Sequence, residues 1–236
     1  MIELKNIVKR FGKLTVVNDV SLNLWKGQCI ALIGPNGCGK TTVIKSILGM
    51  VIPQSGDIFF NGTSIRNDIG YRSKIGYMPQ IGRYPENMTI GQIIDMVKDI
   101  RGAENVPDEE LYHSFDLKNL LHKRMGTLSG GTTQKVSATL AFMFNPDVLI
   151  LDEPTAGLDP IAAEILKEKI MREKAKGKLI LITSHILSEL DNLVSQIIFM
   201  QDGNVLFHKN VDDLQVETGE DKISGAIVRI LKNSGK

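Results

Sequence analysis

The sequence predicts an α/β domain built around a parallel sheet, and three observations carry that expectation. "QCIALIG" is a continuous apolar run of strand length, as expected of a strand covered on both faces. It passes through a glycine-rich loop, "GPNGCGKT", into a segment whose apolar positions Val43, Ile44, Ile47 and Leu48 form one helical stripe. Further on, "DVLILDEP" and "KLILITSH" are two more buried-type strands, with the helix-period stretch "IAAEILKEKIMREKAK" between them. Strands that alternate with helices imply crossover connections and parallel pairing.

Taken in chain order, residues 2 to 34 read as the strands "IELKNI", "VVNDVSLNL" and "QCIALIG", with turns at Phe11-Gly12 and Lys26-Gly27. The first helix follows, and "SGDIFFNG" is then a strand between turns. From Met88 to about Met143 the pattern is mostly helical with little strand signal, which predicts a helical subdomain. The tail "SQIIFMQDGNVLFHKNVDDL" holds two short strands about Asp202-Gly203 and then a weak helical pattern. No internal repeat or low-complexity segment interrupts this order. The 236 residues suffice for one well-cored domain burying roughly 70 to 75 per cent of its unfolded surface.

Composition narrows the function classes. Formal net charge is +1 and the basic residues are spread along the chain, so no footprint for nucleic acid or anionic lipid is visible. The opening "MIELKNIVKRFGK" alternates like a strand and lacks a secretory pattern, which points to the cytoplasm. No apolar stretch approaches the roughly 18 to 20 residues that cross a bilayer, so a membrane partner is expected to be another chain. Cys29 and Cys38 are too few for a disulfide framework, have no metal-ligand spacing and fit a reducing compartment.

The chemistry begins at Gly34 to Thr41, which fits GxxxxGK[ST] between a strand and a helix. Glycines there let successive N–H groups converge on phosphate oxygens, the helix adds its positive end, and Lys40 supplies a point charge for the β and γ phosphates. Asn36, Gly37, Cys38, Gly39, Lys40, Thr41 and Thr42 are therefore the expected nucleotide contacts, with the Thr41 hydroxyl on Mg2+. Cys38, beside Lys40 and a helix N-terminus, sits where a thiol is acidified; the plainer reading is a small residue that fits.

"VLILDEP" brings Asp152 and Glu153 to a strand end, where open α/β sheets bind ligands. Adjacent carboxylates there face different ways, so Asp152 is expected on the metal and Glu153 on a water in line with the γ-phosphate. A solvated acidic turn is the bland alternative. "LSGGTTQK" forms a second anion-reading loop, with Ser129, Gly130 and Gly131 opening a helix.

In that order "GPNGCGKTT", "MPQ", "LSGG", "LILDEP", "AGLD" and "SH" make the chain resemble the ATP-binding cassette (ABC) family over nearly its whole length. The resemblance implies a P-loop NTPase of ABC type, a single ATP-binding domain over 1–236. Residues 1–85 and 145–236 would form the ATPase core with an N-terminal antiparallel β subdomain, and 86–144 the helical subdomain carrying the signature motif. It further implies that "LSGG" reads ATP held by a second copy, in a head-to-tail homodimer around two ATP. Phe11 matches the aromatic that stacks on adenine, with Val16 beside it, and Gln80 the glutamine that senses Mg2+ and water. His185 matches the histidine on the γ-phosphate, and Asp159 an interface aspartate. The bland alternatives are a core aromatic for Phe11, a solvated turn for Gln80 and a structural role for His185. Thr132 departs from the family, which most often has Gln after "LSGG" with Gln134 here two further on; any ribose contact at that position is in doubt.

The family resemblance implies a separate transmembrane permease subunit, with this chain peripheral on the inner face of the membrane. "IGRYPENMTIGQIIDM" falls where such domains receive a helix of that subunit. Its wording, with "LSGGTTQKVSATLAF", is similar to ABC ATPases for maturation of the copper-sulfur centre of nitrous oxide reductase, which adds a periplasmic accessory protein to the expected partners. Met78, Met88 and Met96 are read as gap-filling residues rather than copper ligands. The alternatives are transport of another substrate, a soluble ABC ATPase for cofactor assembly, and a non-hydrolysing ATP-gated module.

Overall fold

The computed structural model describes residues 1–66, 68–102 and 106–234. The elements run β1 (Ile2–Phe11), β2 (Leu14–Leu24), β3 (Cys29–Ile33), α1 (Lys40–Ile47), β4 (Ser55–Phe60), β5 (Thr63–Ser64) and β6 (Ile75–Met78). There follow α2 (Ile90–Arg101), α3 (Glu110–Ser114), α4 (Gly130–Phe142), β7 (Val148–Asp152), α5 (Pro160–Ala175) and β8 (Leu179–Thr183). The chain ends with β9 (Gln196–Gln201), β10 (Asn204–Asn210), α6 (Val211–Thr218) and α7 (Ile223–Ser234). They divide into two compact units, Met1–Arg72 with Gly177–Lys236, and Ser73–Lys176.

In the first unit an antiparallel sheet has the order β2-β1-β4-β5, and a second sheet places β10, β9, β3 and β8 side by side. β3 pairs in parallel with β8 (Ala31 opposite Ile182) and with β9 (Ala31 opposite Ile197). β3 is paired on both edges, and all five of its residues are buried, so both of its faces are covered as well. That is the physical origin of its unbroken apolar run. β1 instead buries Ile2, Leu4 and Ile7 in turn, and its register with β2 shifts between Leu4 and Ile7. At that bulge Asn6 takes φ 49°, and its Nδ2 donates to Asp19 Oδ1 at 2.9 Å. The β9–β10 hairpin turns at Asp202 (φ 48°) and Gly203 (φ 79°), the paired left-handed residues that a tight hairpin requires.

The stripe expected on the first helix is met: Val43, Ile44, Ile47 and Leu48 are all buried. The weak helical pattern after the two tail strands is present as α6, which buries Leu214, and α7 beyond it buries Ile223, Ala226 and Ile227.

In the second unit β6 and β7 pair in parallel, Ile75 opposite Val148. The helical stretch is present as α2, α3 and α4, and α2 begins with a capping box in which Thr89 and Gln92 exchange hydrogen bonds. α5 starts at Pro160 behind Asp159, whose carboxylate accepts from the Ala162 N–H at 2.9 Å. Lys169 of α5 is 1 % exposed and is held by Asp108 at 2.5 Å, Glu110 at 2.7 Å and Glu173 at 3.3 Å. The stretch just before "MPQ" and its first residue form the strand β6, which is too short to show a period.

Candidate functional site

In the first unit β3 ends at Ile33 and residues 34 to 39 form the glycine loop ahead of α1. Gly34, Gly37 and Gly39 have φ of 148°, 80° and 106°, backbone that L side chains rarely adopt. A Cβ on Gly34 would lie 2.0 Å from the Met200 carbonyl, and one on Gly39 would lie 2.5 Å from that of Val16. The loop is thus clamped between β9 and β2, and only glycine permits the approach. Lys40 turns back over it, its Nζ donating to the Gly34 carbonyl at 2.7 Å and the Pro35 carbonyl at 3.0 Å. A buried ammonium held by two neutral carbonyls and a thiol sulfur can exchange them for phosphate oxygens. The glycine cradle, this ammonium and the N-terminus of α1 fit a nucleotide's phosphates. Thr41 stands in the first turn of α1 with Thr42 behind it, and Asn36 is exposed on the loop. Cys38 is 3 % exposed with its Sγ 3.8 Å from Lys40 Nζ, a packed position within the loop.

Also in this unit, Phe11 is 52 % exposed with Lys9 Nζ 5.0 Å from its ring centre, so it is not a core aromatic. Val16 is half-buried, and its carbonyl faces Gly39. His185 is exposed two residues beyond the end of β8.

In the second unit Asp152 ends β7 and is 5 % exposed, whereas Glu153 is only half-buried. Tyr77 of β6 is pushed up to about 12 by burial and then by the negative charge of Asp152. Glu153 has φ 51°. Seven of the eight non-glycine residues with positive φ among those described are Asn or Asp, side chains that tolerate this region; the eighth is Glu153. Such strain, about 1–2 kcal/mol for an L residue, persists only where the surroundings impose it. Gln80 Nε2 donates to Glu153 Oε2 at 2.9 Å, so two residues expected to work together do meet.

Ser129 caps α4, its Oγ accepting from the Thr132 N–H at 3.2 Å and lying 2.9 Å from Thr132 Oγ1. A Cβ on Gly130 would meet nothing within 4 Å, which leaves its backbone open to a ligand. One on Gly131 would lie 2.7 Å from the Gly157 carbonyl. Asp159 is engaged on its own side: besides capping α5 it pairs with Lys135 Nζ at 2.7 Å, and that hydrogen bond holds its carboxyl below the usual range.

Gln134, in the sequence only the glutamine beyond Thr132, joins this site as well. It is 6 % exposed on α4, and its Nε2 donates to the Gln80 carbonyl at 2.8 Å. Its Oε1 is buried with no partner, at a cost of about 1–3 kcal/mol. Its polar neighbours Thr132, Thr133 and Lys135, and the buried Ser137 and Thr139 on the same helix, leave no pattern in the sequence that sets Gln134 apart.

The ABC transporter family model matches residues 17–156. A lantibiotic transport ATP-binding protein of Streptococcus pyogenes, SrtF, is 35% identical over 213 residues, 90% of this chain and 92% of the relative. The Nod factor export ATP-binding protein I of Burkholderia lata is 34% identical, over 86% of this chain and 68% of its own. Among solved structures, one described as the ATP-binding subunit of an ABC transporter superposes with a TM-score of 0.89 at 29% identity, covering 98% of this chain and 99% of that one. A cassette in a dimeric, post-hydrolysis state with ADP and Pi shares the fold, with a TM-score of 0.79 at 22% identity over 89% of this chain and 99% of that one. The chain belongs to the ABC transporter family, as an ATP-binding subunit and ATPase that takes ATP with Mg2+. Among the described residues no helix is long and apolar enough to cross a membrane.

Proposed function

We propose that residues 1–236 act as one cassette, with 1–85 and 145–236 as the ATPase core and 86–144 as the helical part. Two copies close head to tail around two ATP and thereby drive a separate membrane-spanning permease. The observation that carries hydrolysis, beyond binding, is Glu153: a strained residue at the end of β7 whose carboxylate is held by Gln80.

In this reading the amides of Gly37, Cys38 and Gly39 with Lys40 hold the β and γ phosphates, Asn36 and Thr42 line the loop, and Phe11 and Val16 take the adenine. Thr41, Asp152 and Gln80 hold Mg2+, which when bound draws charge off the phosphate oxygens. Glu153 accepts the proton of the attacking water, and Gln80 orients that carboxylate. His185 contacts the γ-phosphate. Ser129, Gly130 and Gly131 of one copy meet the nucleotide on the other, with Asp159 at the joint.

For the permease, a cavity of about 470 Å3 beside Gly82, Arg83, Tyr84, Glu86 and Met125 supports a docking place for one of its helices. One side of it is formed by "IGRYPENM", directly after Gln80, and the other by Met125, Gly126 and Thr133. The subunit then works peripherally on the cytoplasmic face. The relatives named for lantibiotic transport and Nod factor export favour a transport complex for a secreted compound. The narrower role, maturation of the copper-sulfur centre of nitrous oxide reductase with a periplasmic accessory protein, rests on the wording of the two stretches noted above.

The test is Glu153→Gln. Hydrolysis should fall by at least about a hundredfold while ATP still binds, and Mg-ATP should convert the variant to a dimer in light scattering. A variant that hydrolyses ATP like the parent removes Glu153 as the base.

A further inference from the structure

Gln134 is a buried amide that an apolar residue would replace at no loss to the helix around it. Val136, Ala138, Ala141 and Phe142 of α4 are buried, and the buried hydroxyls of Ser137 and Thr139 are both hydrogen-bonded, so the position could have held an apolar or fully paired side chain. Instead the position holds a side chain with half its hydrogen-bonding capacity unmet. Its orientation is forced: Gln80 presents a carbonyl, so only Nε2 can face it, and Oε1 is left in the apolar interior. What is gained is a fixed position for the Gln80 backbone.

That backbone carries the side chain that grips Glu153, so three residues form one chain of contacts: Gln134 Nε2 to Gln80 O, then Gln80 Nε2 to Glu153 Oε2. The next residue of the same helix, Lys135, holds Asp159 on the far side of Glu153 in sequence, and Gly131 abuts the carbonyl of Gly157. α4 therefore touches the segment before Glu153 and the segment after it, and α4 is the helix that Ser129 opens.

We propose that Gln134 is a positioning residue for hydrolysis. It ties the Ser129–Gly131 turn to Gln80 and, through Gln80, sets the Glu153 carboxylate. Displacement of the helix start by a bound anion thus reaches the base through one amide. The inference rests on the reading of Glu153 as that base.

The test uses the purified full chain with Gln134→Met and Gln134→Glu, beside Glu153→Gln. Met has nearly the shape of Gln and no donor. It should keep KM for ATP within about twofold and thermal stability at or above that of the parent, while kcat falls about tenfold or more. Glu is the readout that packing alone would not move. Ionised, it turns an oxygen on the Gln80 carbonyl; protonated, it donates as Gln does. The ratio of its kcat to that of the parent should therefore rise as pH falls from about 8 to about 6, because burial raises a carboxyl. A Met variant with unchanged kcat overturns the proposal, as does a flat Glu ratio, which decides alone if the Met variant does not fold. If Glu153→Gln hydrolyses ATP like the parent, it is the reading of the base that fails, whatever Gln134 does.

Discussion

At the scale of single residues, Glu153 shows how a backbone conformation can direct chemistry. A strand residue following Asp152 in register would simply point to the opposite face; the left-handed φ of 51° turns it toward Gln80 instead. The cost is local and can be measured by removing the side chain in two ways. Glu153→Ala and Glu153→Gly both delete the hydrogen bond with Gln80, but only glycine is at ease at positive φ. The glycine variant should be the more stable by about 1 kcal/mol in denaturant unfolding, the reverse of their order in a helix, with hydrolysis lost in both. An alanine variant equal to or above the glycine variant would remove strain from the account.

Among the elements, α5 depends on a charge that its sequence alone would place on the surface. Lys169 is fully enclosed and shares Asp108, Glu110 and Glu173, while Arg172 also pairs with Glu110 and Lys176 with Glu173 at 2.8 Å. Burial alone would raise the carboxyls of Asp108 and Glu110, but the hydrogen bonds and charge of Lys169 outweigh it and hold both below their usual range. Burial would lower Lys169, and the same partners raise it instead. The signs follow. The carboxylate contribution is complete above an unfolded pKa of about 4 and is lost as pH falls through the lower folded values; that of Lys169 persists until pH passes about 10.5. Lys169→Met should destabilise by about 3 kcal/mol at neutral pH, since it removes the buried cation that Asp108, Glu110 and Glu173 share. The difference in melting temperature from the parent should stay flat from about pH 5 to 9 and shrink below about pH 4.

For the whole molecule, ATP is a ligand of the folded chain alone, so it should stabilise in proportion to its occupancy. At a hundred times its Kd, Mg-ATP is worth about 2.7 kcal/mol, visible as a rise in Tm. Lys40→Met, which loses the ammonium now resting on Gly34 and Pro35, should abolish that rise without unfolding the chain. A full shift in the variant would detach Lys40 from the phosphates.

What the sequence by itself determined was the local part: β3, β7 and β8 as unbroken apolar runs, α1 by its stripe, the glycine loop by its spacing, and the carboxylates by their place at a strand end. These are properties of neighbouring residues, set by helix and strand periods and by what glycine allows. Only the tertiary structure decided which distant groups meet. Gln80 and Glu153 lie 73 residues apart, Gln134 and Gln80 54, and Lys169 and Asp108 61. No period links such pairs, and a buried polar side chain finds its partner only when the packed elements enclose both.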